Sequence, residues 1–301
     1  MRVTSRLRLP NWNGNEPAKC GSARSNQKMH MPLNSGRSLL LLVTAVAVAA
    51  AASAARADDD PWPDIQSSIF DSRQIIENDG TVTLEAPKQA EDAAIVPLTM
   101  RIPASTGDVK SLTLVIDKNP APVAATFYFG EAAGTGERML STRVRVDRRS
   151  NVRAVIETAD GTLHMATKFV RASGGCSAPA GKDPQAALVD LGKMRITTFD
   201  RPTASGTPLN TREAQVMIRH PNFTGMQMDR KSFLYTPARF VEELEVKRDG
   251  DLVFRMEGGI SISENPNFRF TFAAAADETL EVAAKDTDGA VFAAKSVDKS
   301  S

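Results

Sequence analysis

The chain has 301 residues, 37 Lys+Arg against 36 Asp+Glu, 42% hydrophobic content, two cysteines and three histidines. That length accommodates about two domains, and the apolar content excludes a disordered chain. So few Cys and His exclude a disulfide-stapled miniature and argue against a zinc or haem site built from them. The charge is uneven along the chain. Residues 1–57 carry eight basic residues and one acidic residue, Glu16, which leaves 29 basic and 35 acidic residues in 58–301, a formal charge of −6. An acidic body gives no support to a nucleic-acid or anionic-membrane partner.

The basic end reads as an export signal. Arg37 precedes an apolar run from Leu39 to Ala52, broken only by Thr44. The small-x-small triplet Ala55-Arg56-Ala57 follows, and then the acidic start Asp58-Asp59-Asp60. The run is shorter than the roughly 20 residues of a spanning helix, so cleavage is expected rather than anchorage. The expectation is a signal peptide with an N-terminal extension over 1–57, taking the general secretory route because twin arginines are absent. Asp58-Asp59-Asp60 is then a solvated new N-terminus, not a calcium site.

The body reads as strands. Residues 63–76 place Ile65, Ile69 and Ile76 near helical spacing and predict a short helix. Short Val-, Ile-, Thr- and aromatic-rich runs follow at 94–102, 111–117, 124–129, 141–147, 152–158 and 163–170. Arg143-Val144-Arg145-Val146 alternates cleanly, which predicts a buried valine face and a wet arginine face. Asp160-Gly161 is a hairpin signal. Asp183-Pro184 predicts an N-cap and a brief helix through Leu191, within a linker at 181–193. A second strand series runs over 194–199, 214–220, 240–248, 251–256, 268–272, 280–285 and 291–295, with hairpin turns at 248–251 and 286–289. The fold class is therefore all-β: two antiparallel sandwiches joined by a short Gly/Pro-containing linker. The domains are 58–180 and 194–301.

Export gives the cysteines meaning. Cys20 leaves with the signal, so Cys176 is the single thiol of the mature chain, a liability in an oxidising compartment unless it is used. It sits in Ser173-Gly174-Gly175-Cys176-Ser177-Ala178-Pro179, a run without a bulky apolar residue, which predicts a flexible, exposed arm of Gly174, Gly175 and Ser177 around the thiol. Lys168, Arg171 and Lys182 flank it and would favour the thiolate.

Other chemistry fails on setting. His164 and His220 have no metal-ligating neighbours in register and read as structural. Gly258-Gly259 and Gly134-Thr135-Gly136 lack the strand–turn–helix context of a phosphate loop. No Gly-x-Ser-x-Gly elbow occurs, and a mobile glycine arm fixes neither base nor oxyanion hole for a Cys–His enzyme. Carriage suits such an arm better: a thiolate accepts a sulfur-containing group and hands it on. On these grounds the chain is expected not to be an enzyme and to need no cofactor or metal.

Several segments resemble known families. Phe169-Val170-Arg171-Ala172-Ser173-Gly174-Gly175-Cys176 resembles the end of the SoxY sulfur carrier, as do Val115-Ile116-Asp117-Lys118-Asn119-Pro120 and Ser141-Thr142-Arg143-Val144-Arg145 upstream. His220-Pro221-Asn222-Phe223-Thr224-Gly225 and Ser261-Ile262-Ser263-Glu264-Asn265-Pro266-Asn267-Phe268-Arg269-Phe270 resemble its partner SoxZ. The order is that of a fused SoxYZ-like carrier associated with quinoprotein dehydrogenases. The resemblance implies immunoglobulin-like sandwiches, a periplasmic location, and sulfur cargo held covalently on Cys176 during thiosulfate or other sulfur-compound oxidation. It also implies sulfur-oxidising enzymes or a quinoprotein dehydrogenase as partners. The chain departs from the SoxY pattern after Cys176, where Ser177-Ala178 replaces a glycine pair and a further domain follows. The alternative from another class is a non-carrier accessory module for a quinoprotein dehydrogenase. If the signal is read correctly, N-terminal sequencing of the exported protein finds Asp58 first. An intact 31–57 segment contradicts it.

Overall fold

The computed structural model describes residues 60–179, 184–199, 211–229, 232–275 and 278–296. The expected signal peptide, Asp58, residues 181–183 of the linker and Lys182 lie outside the described residues. The described residues form one compact unit.

In chain order the amino-terminal half contains α1 (Trp62–Phe70), β1 (Ile75–Glu77), β2 (Thr83–Glu85), β3 (Val96–Ile102), β4 (Val109–Ile116), β5 (Val123–Phe129), β6 (Arg138–Val144), β7 (Ser150–Thr158) and β8 (Leu163–Val170). The carboxyl-terminal half contains α2 (Pro184–Ala187), β9 (Met194–Phe199), β10 (Thr211–Ile218), β11 (Val241–Arg248), β12 (Asp251–Gly258), β13 (Asn267–Ala273), β14 (Leu280–Asp286) and β15 (Val291–Lys295). The strands build two sheets, in the orders β1-β8-β7-β4-β5-β12-β11-β14-β15 and β2-β3-β6-β13-β10-β9. The all-β sandwich expected from the sequence is what the chain forms.

Each half supplies part of both layers, and the halves join edge to edge. In the larger sheet β5 pairs with β12, placing Phe129 opposite Phe254 and Phe127 opposite Met256. In the smaller sheet β13 pairs with β6 at Phe270 and Leu140. Edge strands left open would be templates for aggregation, and here each of these four finds its partner in the other half of the same chain.

The core follows the strand period. Val96, Leu98, Met100 and Ile102 of β3 are buried in alternation, as are Phe268, Phe270 and Phe272 of β13. Phe127 of the first half meets Phe254 and Phe268 of the second edge-on, at centroid distances of 5.8 and 6.1 Å. Phe254 meets Phe270 at 5.1 Å. The two Phe127 contacts cross the seam, so one apolar core serves both halves.

The predicted helix at 63–76 is shorter than expected. It ends at Phe70, because Asp71 and Ser72 adopt left-handed backbone conformations, with φ of 51° and 55°. Ile75 and Ile76 then pair in parallel with Leu163 and His164 as β1, where β-branched residues are at home. The helix covers the outer face of β4, β7 and β8, packing Trp62, Ile65 and Phe70 on Val115, Val155, Leu163 and Met165. Arg153 stacks over Trp62 at 4.0 Å and forks onto the Asp117 carboxylate. That neutralises the buried guanidinium and fixes the helix.

Because both sheets are continuous through the seam, the halves should unfold together. Urea denaturation followed by Trp62 fluorescence and by far-ultraviolet dichroism is expected to give one coincident transition. Phe254→Ala should lower stability by about 3–5 kcal/mol in that single transition. Two separated transitions would contradict the shared core.

Candidate functional site

Cys176 lies just beyond β8, in a turn at the seam between the halves. The structure corrects the flexible-arm expectation here. Gly174 takes φ of +76°, which an L side chain adopts only under strain. A Cβ at Gly175 would collide with the Ala93 and Val146 carbonyl oxygens, so this glycine permits close backbone approach rather than motion. The amides of Gly174 and Gly175 donate to the carbonyls of Asp147 and Val146, at 2.7 and 3.2 Å. Ser177 is exposed, and its hydroxyl closes the turn by donating to the Gly174 carbonyl at 3.2 Å.

The thiol is correspondingly enclosed. Cys176 is 0% exposed, against the expectation of an accessible thiol. Burial pushes its pKa up to about 11, the Asp147 carboxylate adds to the rise, and Arg145 opposes it. The flanking cations expected to favour the thiolate do not do so, since Lys168 and Arg171 point to solvent. The cation that matters is Arg145, which the alternation placed on a wet face. It is fully buried, because the Cys176 turn and the Ser261 loop of the other half cover the end of β6.

A polar belt surrounds the turn and draws on both halves. Thr224 Oγ1 donates to the Cys176 carbonyl at 2.7 Å. Arg145 donates its amide to the Ser261 carbonyl at 2.7 Å and Nη1 to the Gly175 carbonyl at 3.2 Å. Asn119 is the hub. Its Nδ2 lies 2.8 Å from the Arg145 carbonyl and 2.9 Å from Ser261 Oγ, and its Oδ1 accepts from the Asp147 amide at 2.8 Å. Ser263 Oγ donates to the Ala94 carbonyl, and Asn222 Nδ2 to that of Ile262. Thus the separate segments singled out in the sequence, around Asn119, Arg145, Thr224 and Ser261, converge on the turn that holds Cys176. Asp147, Asn119 and Thr224 were not recognisable as site residues from sequence, because folding brings distant segments together, Asn119 with Asp147 inside one half and Thr224 from the other.

The histidines have structural surroundings. His164 Nδ1 lies 2.7 Å from Asp79. His220 is fully buried, accepts the Asn222 amide at Nδ1 and faces Asp286 with Nε2, and desolvation lowers its pKa. No group of three or more His, Cys, Asp or Glu among the described residues could hold a metal ion. No helix among the described residues is long and apolar enough to cross a membrane.

The family model for SoxY, sulfur oxidation protein SoxY, matches residues 66–176, and that for SoxZ, sulphur oxidation protein SoxZ, matches residues 202–297. The two together span more than half of the chain, and the first match ends on Cys176. The chain belongs to a fused SoxYZ-like family. A solved structure of the sulfur carrier protein SoxY from Chlorobium limicola f thiosulfatophilum is similar at 22% identity, covering 37% of this chain and 91% of that one, with a TM-score of 0.29. No curated protein matches the chain. The SoxYZ-like chain thus places its one described cysteine at the boundary of its two family segments.

Enclosure has measurable consequences. An unfolded thiol ionises near its ordinary value of 9.0, and the folded one near 11. The stability that the neutral thiol contributes is therefore complete below about pH 9 and declines as pH rises from 9 to 11. Since the thiolate is the nucleophile, iodoacetamide at pH 8 should modify native Cys176 at least about a hundredfold more slowly than the urea-unfolded chain. Equal rates would contradict the enclosed thiol. Cys176→Ser, which buries a hydroxyl, should cost about 1–3 kcal/mol of stability.

Proposed function

We propose that this SoxYZ-like protein is a periplasmic, non-catalytic carrier that holds sulfur-containing groups covalently on Cys176. The reading rests on one observation above the others. The family segments of a sulfur-oxidation carrier meet around the turn that holds Cys176. Cys176 is the one fully buried side chain in the 171–179 stretch, and its loss to solvent forfeits little apolar burial. In the open turn the thiolate attacks an electrophilic sulfur, forms an S–S bond as the donor's leaving group departs, and later yields the group to an acceptor. The partners are then sulfur-oxidising enzymes of the same compartment, reached after export through the 1–57 signal.

A second reading is favoured by the 0% exposure of Cys176 and by its pKa near 11. On it, the cysteine is a small buried hydrophobe and the protein is an accessory module for a periplasmic quinoprotein dehydrogenase. Intact-mass spectrometry of protein from its native periplasm, prepared without reductant, separates the two. The carrier shows a sulfur-containing mass addition that reductant removes and that Cys176→Ala lacks, and the alanine variant loses physiological activity. A bare native mass with full activity in Cys176→Ala overturns the carrier reading and leaves the accessory module.

A further inference from the structure

His220 is a buried titratable group that the Cys176 site does not itself contain, and it stands one short segment away from it. It lies just beyond β10, is 0% exposed, and its Nδ1 accepts the backbone amide of Asn222 at 3.1 Å. An amide N–H can only donate, so Nδ1 is a bare acceptor and the proton of the neutral ring sits on Nε2. The charged groups that face the ring, directly or through Arg239, are Asp286 at the end of β14, Arg239 ahead of β11, and Asp288 in the turn after β14. Nε2 lies a long 3.4 Å from Asp286 Oδ2. That carboxylate is already occupied, since Arg239 Nε donates to Oδ2 at 2.8 Å and the amides of Asp288 and Ala290 donate to Oδ1. Arg239 thus cancels the charge that would stabilise an imidazolium. The other neighbours are uncharged: Phe292 meets the ring edge-on at 6.3 Å, and the Asn265 amide donates to the His220 carbonyl. A proton added at Nδ1 sets donor against donor in a site closed to water.

What that amide holds in place reaches the thiol. Asn222 has a left-handed backbone with φ of 43°, which a non-glycine residue keeps only where its surroundings fix it. Its side chain bonds the Val241 amide and the Ile262 carbonyl, which leaves its own amide as the contact that a proton can switch. Two residues on, Thr224 donates its hydroxyl to the Cys176 carbonyl at 2.7 Å. The kink at Asn222 therefore aims Thr224 at the Cys176 turn, and His220 Nδ1 secures the kink. We propose that His220 is an acid-sensitive latch: protonation at Nδ1 expels the Asn222 amide, frees Thr224 from the Cys176 carbonyl and opens the turn. Burial holds the His220 pKa below its ordinary 6.5 in the closed protein, the direction this requires. A ring released by opening takes up its proton near 6.5, so below that pH the open state binds more protons than the closed one. The latch is at full strength above about pH 6.5 and weakens as pH falls through and below it. The inference concerns access to the thiol and goes beyond the carrier reading, since it is independent of what Cys176 holds.

Hydrogen–deuterium exchange of the folded full-length protein tests the latch, with rates corrected for the chemical pH dependence of exchange. From about pH 7.5 to 5.5 the peptides covering 219–227 and 171–179 should lose protection by about tenfold, the effect of one proton taken up on opening. Strands β3, β4 and β13 should keep their protection over the same range. His220→Asn, whose Oδ1 keeps a neutral acceptor near the place of Nδ1, should make the protection of both segments independent of pH. His220→Gln serves the same purpose if the asparagine variant fails to fold. Wild-type protection that does not change with pH overturns the proposal, and so does a loss shared equally by the core strands. A loss confined to 219–227 also overturns it, because the latch would then be uncoupled from the thiol, as does a loss that persists in a folded variant. If neither variant folds, nitrogen-15 NMR of the wild-type ring at pH 7.5 decides: a bare Nδ1 supports the latch and a protonated Nδ1 overturns it. Exchange reads backbone opening alone, so an adduct-free protein from the periplasm can sink the carrier reading without touching this result.

Discussion

The structure depends on the pairing of two sheet edges in both layers at once. β5 with β12 and β6 with β13 convert two small sandwiches into one. Phe127, packed across the seam on Phe254 and Phe268, makes that pairing an apolar core rather than a docking interface. A β-sandwich half with two open edges would expose unpaired backbone groups and aromatic surface, which is unstable alone. Fusion of the halves in one chain raises their effective concentration and removes the entropy cost of finding a partner. Everything at the site follows from this seam, because loops from both halves are brought together at its end.

What the seam brings together is unusually polar for a buried place. Asn119, Asn222, Thr224, Ser261 and Ser263 are all at most 4% exposed. Most of their groups cross-link backbone to backbone between loops, so the belt does for irregular segments what ladders do for strands. Asn119 alone ties the chain after β6 at two points and reaches Ser261 in the other half. Satisfied networks of this kind fix a single geometry, which is what a turn must have if it is to return to the same place after opening. The belt's unsatisfied members are Arg145, whose Nη1 bonds the Gly175 carbonyl, and Gln227, whose Oε1 accepts the Thr224 amide.

Much of the fold was legible from local pattern. The strands at 163–170, 194–199 and 291–295 have the predicted limits, because alternation and turn residues bound them on both sides. The helix overran at Asp71, since nothing in the local composition announces a left-handed pair. The position of the thiol at the end of the first family segment was legible, and its environment was not. Gly174-Gly175 reads as a hinge when taken alone, yet one glycine answers a positive φ and the other a close carbonyl. Arg145 obeys strand alternation and still ends up inside, because the covering loop comes from more than a hundred residues away in sequence, at Ser261. Burial by a distant segment leaves no local signature.

A thiol that is enclosed and a thiol that carries cargo are compatible if the closed state is a shield. The turn is held by five hydrogen bonds: three from the Gly174, Gly175 and Cys176 amides, one from Thr224 and one from Arg145. At about 1 kcal/mol net for each, with a further ~1 kcal/mol for the small buried side chain, opening costs roughly 6 kcal/mol. That places the open turn at a population on the order of 10⁻⁵ to 10⁻⁴, within the range of local opening in native proteins. In the closed turn, pKa elevation and exclusion of reagents act together to protect a bare thiol or its adduct. In the open turn Cys176 regains the solvent that an ordinary thiol pKa requires, so reactivity is governed by opening. Tethering at both ends limits how far the turn can reach. A partner that binds the open turn at the seam therefore gains more than one that waits for the thiol to enter a deep cleft. Any surface that replaces the Thr224 and Arg145 contacts lowers the opening cost directly, and on the proposed carrier reading transfer is then confined to the encounter with that partner.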